Sequence, residues 1–369
     1  MPASREYVSS SIAKGPTRHE RILIVSPSWM GDCIMAMPAI LEWRRLAGPL
    51  KVVVLAKPAV VPLWRMSSSV DEVLTIRTGF KGTLAAVNAV KGGQFDFAYV
   101  IPNSFRSALI PFLAQVRGRR GYAGHFRRGL LTECVRSSRA GLEHQSREMF
   151  ALLGIKPGIT NEEVLLRAGA PEQAAMDLRL ELPAGGGGKP MVVMFPGAAR
   201  GSSKRWPEGR FADVGRRLAE WGCRVVLAGT AADRELCGRV AGQIGSGAIT
   251  LAGATTLAEL VALLSRCRVV IANDSGGMHL AAAVGTRVVA VFGVTDPVVT
   301  GPMGAGHIVL MAQGFLRGRD VGRDSKAGHD ALAEVTVDAV YKAAVRILEA
   351  DAIQASEGAR KDQGYSSIS

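Results

Sequence analysis

No apolar run in this 369-residue chain reaches the roughly 20 residues needed to cross a membrane, and the N-terminus lacks the apolar core of a signal peptide. The expected location is the cytoplasm. Cysteine is scarce: Cys33, Cys134, Cys223, Cys237 and Cys267 are scattered without metal-ligand spacing, and their odd number argues for free thiols. The six histidines are equally dispersed and form no HExxH pattern, so a resident metal is not expected. Neither half of the chain carries a GxGxxG turn, which counts against a nicotinamide or flavin dehydrogenase. Acidic residues are outnumbered 45 to 32 by lysine and arginine, giving a formal charge of +13 and a pI near 9.9. That excess favours acidic partners such as a nucleotide or an anionic membrane face, or is simply a basic solvated surface. Nucleic acid is disfavoured, because no basic run is interleaved with aromatics.

What is present is a repeated alternation of strand and helix. Residues 1–20 mix Ser, Pro, Lys and Arg without periodicity and read as a flexible lead. Strands are expected at Ile22–Val25, Val52–Leu55, Glu72–Ile76 and Phe95–Ile101, with helices at Ile34–Leu46, Val60–Met66, Thr83–Val90, Arg106–Val116 and Ser146–Leu153. The segment 117–128, rich in arginine and glycine, is either a solvated face or a site for an anionic substrate. Glycine and proline at 168–171 and 185–190 mark a flexible connection over 166–190. Its Gly188-Lys189 pair is not a P-loop, since Pro190 stands where Ser or Thr is required.

The alternation then restarts. Strands are expected at Met191–Phe195, Arg224–Ala228, Arg268–Ala272 and Val288–Phe292, the last closing the series, with helices from Trp206 to Trp221, Ala232 to Ile244 and Leu257 to Cys267. Residues 314–330 are polar and poorly periodic, Val337–Leu348 forms a terminal helix within 331–350, and 351–369 reads as a disordered tail. The expected fold is α/β, with doubly wound Rossmann-like domains at 21–165 and 191–330 facing across a cleft.

The stretch most charged with chemistry is Asn273-Asp274-Ser275-Gly276-Gly277-Met278-His279, a tight turn between a β-branched run and a helix. Its glycines allow close backbone approach, and the helix start offers N–H groups and a positive dipole end to an anion such as phosphate. The bland alternative is that Asp274 or Ser275 merely caps the helix. Lys204, in the preceding loop, either supplies a point charge to the same anion or is an ordinary exposed lysine. The chain has no DxD pair, the usual metal clamp for a sugar diphosphate.

Five blocks together resemble the lipopolysaccharide heptosyltransferases of glycosyltransferase family 9. They are Ser26-Pro27-Ser28-Trp29-Met30-Gly31-Asp32 with Met35-Ala36, Pro102-Asn103-Ser104-Phe105-Arg106-Ser107-Ala108, Pro196-Gly197-Ala198, Lys204-Arg205-Trp206-Pro207 and the 273–279 turn, in that order over residues 21–348. The resemblance implies a GT-B fold and inverting, metal-independent transfer of L-glycero-D-manno-heptose from ADP-heptose to the first heptose of the lipopolysaccharide inner core. Under it, Asp32 is the general base, and Lys204, Asp274, Ser275, Gly276, Gly277 and His279 bind the donor, with Glu235 near the ribose. The arginines Arg106, Arg120, Arg127 and Arg128 would hold the acidic acceptor, heptosyl-Kdo₂-lipid A, with peripheral contact to the inner face of the inner membrane. A sister specificity within the family and a non-catalytic nucleotide-binding protein of the same fold are the alternatives. Ala199 and Gly277 depart from the family pattern, the first where an acidic residue and the second where a larger one is usual.

Overall fold

The computed structural model describes residues 21–135, 143–157, 164–182, 188–199, 201–314 and 325–364, with side-chain surroundings to residue 350. The flexible lead expected at 1–20, the glycines 185–187, most of 314–330 and the last five residues lie outside this set. The chain divides into two compact units, 1–167 and 168–369.

The first unit has strands β1 (Arg21–Val25), β2 (Lys51–Ala56), β3 (Glu72–Thr75), β4 (Phe97–Val100), β5 (Gly118–Tyr122) and β6 (Glu133–Val135). Between and after them run α1 (Met30–Ala47), α2 (Val61–Arg65), α3 (Gly79–Gly92), α4 (Phe105–Leu113) and α5 (Ser146–Leu153). The sheet is parallel throughout, in the order β3-β2-β1-β4-β5-β6, with Ile22 opposite Val52 on one side and Phe97 on the other. Both faces of a parallel sheet are covered by helices, which is why its central strands are continuous apolar runs; Leu23, Val53, Val54 and Ala98 are fully buried.

The second unit repeats this plan. It opens with α6 (Ala170–Arg179), followed by β7 (Met191–Phe195), α7 (Glu208–Glu220), β8 (Arg224–Leu227), α8 (Arg234–Ile244), β9 (Ala248–Thr250), α9 (Leu257–Arg266), β10 (Val269–Asn273), α10 (Gly276–Val284), β11 (Arg287–Phe292), α11 (Pro297–Thr300), β12 (Ile308–Met311), α12 (Lys326–Glu334) and α13 (Val337–Gly364). The parallel order is β12-β11-β10-β7-β8-β9. Counted from each unit's own first strand, both sheets read 3-2-1-4-5-6, the doubly wound order. Ligands of such sheets bind beyond the carboxyl ends of the first and fourth strands, where the winding direction reverses.

The structure corrects several expectations. The basic segment 117–128 holds a strand absent from the expected series, Gly118–Tyr122, internal to the sheet. The 166–190 connection contains α6, with Pro171 in its first turn and Asp177 paired to Arg266 of α9 at 2.7 Å. β12 follows β11, so Phe292 does not close the series. Residues 326–334 form α12, and the terminal helix continues to Gly364 instead of ending by residue 350. All five cysteines are free thiols. Burial pushes Cys33, Cys237 and Cys267 up to about 12 and Cys223 to about 11, leaving these four protonated and unreactive.

Candidate functional site

In the second unit, the reversal point lies between β7 and β10. Asn273, the last residue of β10, is fully buried there and ties the two strand ends together. Its Nδ2 donates to the carbonyl of Pro196 at 2.9 Å, with those of Gly197 and Phe195 at 3.4 and 3.5 Å, while its Oδ1 accepts from the Trp206 N–H at 2.9 Å. Trp206 is fixed in turn by its indole N–H to Val335 and by an edge-on contact with Phe211. One amide therefore holds both blocks that flank the loop after β7.

Lys204 ends a short 3₁₀ turn, Ser202–Lys204, entered through Gly201 at φ +116°, a conformation that favours glycine. The turn is seated by α12. A Cβ at Gly328 would lie 2.7 Å from the Ser203 carbonyl, and Ser202 Oγ meets His329 Nε2 at 3.3 Å. From this platform the ammonium of Lys204 pairs with Asp274, their side chains only 11% and 7% exposed. Lys204 is thus not an ordinary exposed lysine.

Ser275 is the N-cap of α10 but makes no side-chain cap bond, so its presence is not accounted for by capping. The first N–H groups of α10 and the positive end of its dipole stand beside a buried ammonium. Gly277 packs against Phe195 of β7, where a Cβ would lie 2.7 Å from the ring. That contact explains why this chain has no larger residue at 277. His279 is buried within α10.

Glu235 lies in the first turn of α8. Its carboxylate is largely exposed and pairs with Arg239 at 2.8 Å, which also holds Glu208. Asp233 is the acid that closes against the turn after β7. Its Oδ2 accepts from the N–H and hydroxyl of Thr230, and a Cβ at Gly197 would sit 2.2 Å from its Oδ1. The GTAAD spacing, a threonine three residues before an acid, is the capping-box signal that could have singled it out.

In the first unit, the equivalent point lies between β1 and β4. Asp32 is in the first turn of α1, where the helix dipole stabilises a carboxylate, and Gln145 Nε2 donates to its Oδ1 at 3.0 Å. The turn before it is anchored from the side of β2, by the Trp64 indole N–H donating to Ser26 Oγ at 2.8 Å.

The four arginines separate into distinct roles. Arg127 is fully buried. Its guanidinium donates to the carbonyl of Tyr122 at 2.6 and 2.8 Å, to Asn103 Oδ1 at 2.9 Å and to the carbonyl of Pro102. It locks the turn after β4 and is not presented to a ligand. Arg120, partly exposed, bridges Glu133 at 3.1 Å and the end of α5. Arg106 reaches the carbonyls of Arg77 at 3.0 Å and Gly79 at 3.5 Å, joining the starts of α3 and α4 at the carboxyl edge. Arg128 is exposed beside the buried Arg127. Of the four, Arg127 alone is closed off from solvent.

Among the described residues no three His, Cys, Asp or Glu side chains group so as to hold a metal ion, and no helix is long and apolar enough to cross a membrane. The second unit carries a lysine-bearing, dipole-backed turn suited to phosphate, and the first unit, taken by itself, a helix-start carboxylate suited to proton transfer.

Comparison with known proteins agrees with this reading. The profile of glycosyltransferase family 9 (heptosyltransferase) matches residues 83–328. Lipopolysaccharide heptosyltransferase 2 of Escherichia coli K12 is 29% identical over 343 residues, covering 87% of this chain and 97% of that protein. Lipooligosaccharide heptosyltransferase 2 of Haemophilus influenzae is 30% identical over 331 residues, covering 85% and 95%. The solved structure of E. coli ADP-heptose lipopolysaccharide heptosyltransferase II superposes with a TM-score of 0.77 at 26% identity, covering 90% of this chain and 99% of that one.

Proposed function

The chain belongs to glycosyltransferase family 9, and on that premise we propose that it is a heptosyltransferase II. It transfers L-glycero-D-manno-heptose from ADP-heptose to the first heptose of the lipopolysaccharide inner core. The observation that carries the donor assignment is the Lys204–Asp274 pair beside the uncapped start of α10, at the reversal point of the second sheet.

An acceptor hydroxyl is a weak nucleophile until a base takes its proton. Asp32 accepts that proton as the oxygen bonds to the anomeric carbon, an effect worth about 10²- to 10⁴-fold. The bond from the anomeric carbon to the β-phosphate oxygen breaks on the opposite face, the electron pair leaves with ADP, and the anomeric configuration inverts. Lys204 and the N–H groups of the Ser275–Gly277 turn neutralise the departing diphosphate without a metal ion. Arg106 and Arg128 steer the acidic core acceptor, and the reaction runs at the cytoplasmic face of the inner membrane.

The test is ADP release from ADP-heptose with no metal added, offering Kdo₂-lipid A and its monoheptosylated form separately. Release with the monoheptosylated acceptor alone supports this reading. Release with the bare acceptor alone makes the protein a heptosyltransferase I. Release with neither, despite donor binding, favours a non-catalytic role. Asp32→Asn is expected to lower turnover about 10²- to 10⁴-fold while keeping donor affinity; near-normal turnover in that variant would remove Asp32 as the base.

A further inference from the structure

Two neighbouring helices of the first unit turn apolar side chains to solvent. On α4, Phe105, Leu109, Phe112 and Leu113 follow helical spacing on one face, and Phe105, Phe112 and Leu113 are 46%, 40% and 49% exposed. The opposite face of α4 is buried through Ala108, Ile110 and Pro111, so apart from Arg106 and Ser107 this helix is apolar on both faces yet covered on one only. Beside it on α3, Phe80 and Leu84, one turn apart, are 84% and 52% exposed. Phe126 is completely exposed, with its backbone and that of His125 in the left-handed region at φ +56° and +47°. Arg127 next to it is fastened to Pro102 and Asn103 just ahead of α4, which brings Phe126 to the same end of the face.

The charges around this face have one sign. Between residues 77 and 132 there are nine lysines and arginines and a single acid, Asp96. Neither α3 nor α4 contains an acidic residue, and Arg77, Lys81 and Arg117 are exposed beside the apolar side chains. A second copy of the chain would bring like charge against like charge. Exposed aromatic and aliphatic side chains set among lysines and arginines match instead the boundary of an anionic bilayer, where rings lie at headgroup level and cations meet lipid phosphates.

We propose that the α3–α4 face, with Phe126 at its end, is the surface by which the protein seats on an anionic membrane. The proposal rests on the reading of a lipid-linked acceptor but specifies what that reading leaves open: the face, and insertion of side chains in addition to general attraction by charge. It places the carboxyl edge carrying Asp32 at the height of lipid headgroups.

The test is co-sedimentation of the full chain with vesicles of phosphatidylethanolamine and phosphatidylglycerol, against vesicles of phosphatidylcholine, in the absence of both substrates. Binding is expected only with phosphatidylglycerol. Phe80→Ser/Leu84→Ser/Phe126→Ser and, separately, Lys81→Glu/Arg117→Glu should each weaken it at least tenfold. Transfer to a deacylated, water-soluble acceptor should stay unchanged in both variants. Unaltered partition in both variants would overturn the proposal, as would a change in oligomeric state that accounted for any loss. Vesicle binding is scored without turnover, so a protein that binds vesicles through this face but transfers no heptose would refute the functional reading and leave this one standing.

Discussion

Asn273 is the residue on which the 273–279 turn depends, and its replacement gives a prediction with a local readout. Substitution by alanine strands the Trp206 N–H and the Pro196 carbonyl in a buried setting. Each unsatisfied buried group costs about 1 to 3 kcal/mol. The total, about 2 to 6 kcal/mol, is a large part of the roughly 5 to 15 kcal/mol by which a domain is stable. Because a chain of two units need not unfold in one step, the sharper measurement is hydrogen exchange at the Trp206 amide. Loss of about 1 to 3 kcal/mol there speeds exchange roughly 5- to 150-fold. Aspartate is the more searching substitution. It keeps an acceptor for Trp206 but turns a carboxylate oxygen toward the carbonyls of Phe195, Pro196 and Gly197, where only a donor is tolerated. Its carboxyl is therefore favoured in the protonated form, which raises its pKa in the folded state above the unfolded value near 3.9. The folded state then binds the extra proton, so the stability deficit of Asn273→Asp should be greatest at neutral pH and shrink as the pH falls. Urea unfolding at neutral and mildly acidic pH, alongside exchange at Trp206, tests this. A deficit independent of pH, or native exchange at Trp206 in Asn273→Ala, would refute the assigned role.

Lys204→Met should destabilise the second unit by about 3 to 5 kcal/mol by leaving Asp274 buried without its partner. Adding Asp274→Asn should restore much of that stability but not ADP affinity, a separation that thermal unfolding and titration calorimetry would resolve. Gly277→Ala should cost about 1 to 3 kcal/mol through collision with the Phe195 ring, and Phe195→Leu in the same chain should relieve part of it, as read by the melting temperature. Burial holds His307 below the usual histidine range, and its Nδ1 accepts from the Val288 N–H, so it is neutral when folded. Its unfolded form takes up a proton at about pH 6.5, so stability should fall with pH from that value down to the depressed folded pKa, and His307→Asn should lose this slope.

The central strands were legible because a strand covered on both faces must be a run of apolar residues, as in Ile22–Val25 and Val269–Ala272. β5 was not, since Gly-Arg-Arg-Gly-Tyr looks like a solvated loop. Its arginines are accommodated by partners distant in sequence: Arg119 by the Leu130 carbonyl and the Phe112 ring, Arg120 by Glu133. α6 was hidden by the glycines and prolines around it. The 273–279 turn could be recognised as a motif, but the work of Asn273 could not, because its partners lie 67 to 78 residues away. For the same reason charge alone could not distinguish Arg127, wholly buried on carbonyls, from the exposed Arg128 next to it.

The two reversal points share a topology but are braced in different directions. In the second unit Asn273 spans the gap, tying the end of the first strand to the end of the fourth. In the first unit the named ties pull outward, Trp64 holding the turn after β1 from the side of β2 and Arg127 holding the turn after β4 from the side of β5. A brace across the gap sets its width and suits a guest of constant dimensions, as every nucleotide diphosphate is. Braces on either flank hold each lip separately, and the backbone bond from the Ile101 N–H to the Val25 carbonyl at 3.3 Å joins the two strand ends. The same winding is thus tied by a side chain across the gap in one half of the chain and by side chains from its flanks in the other.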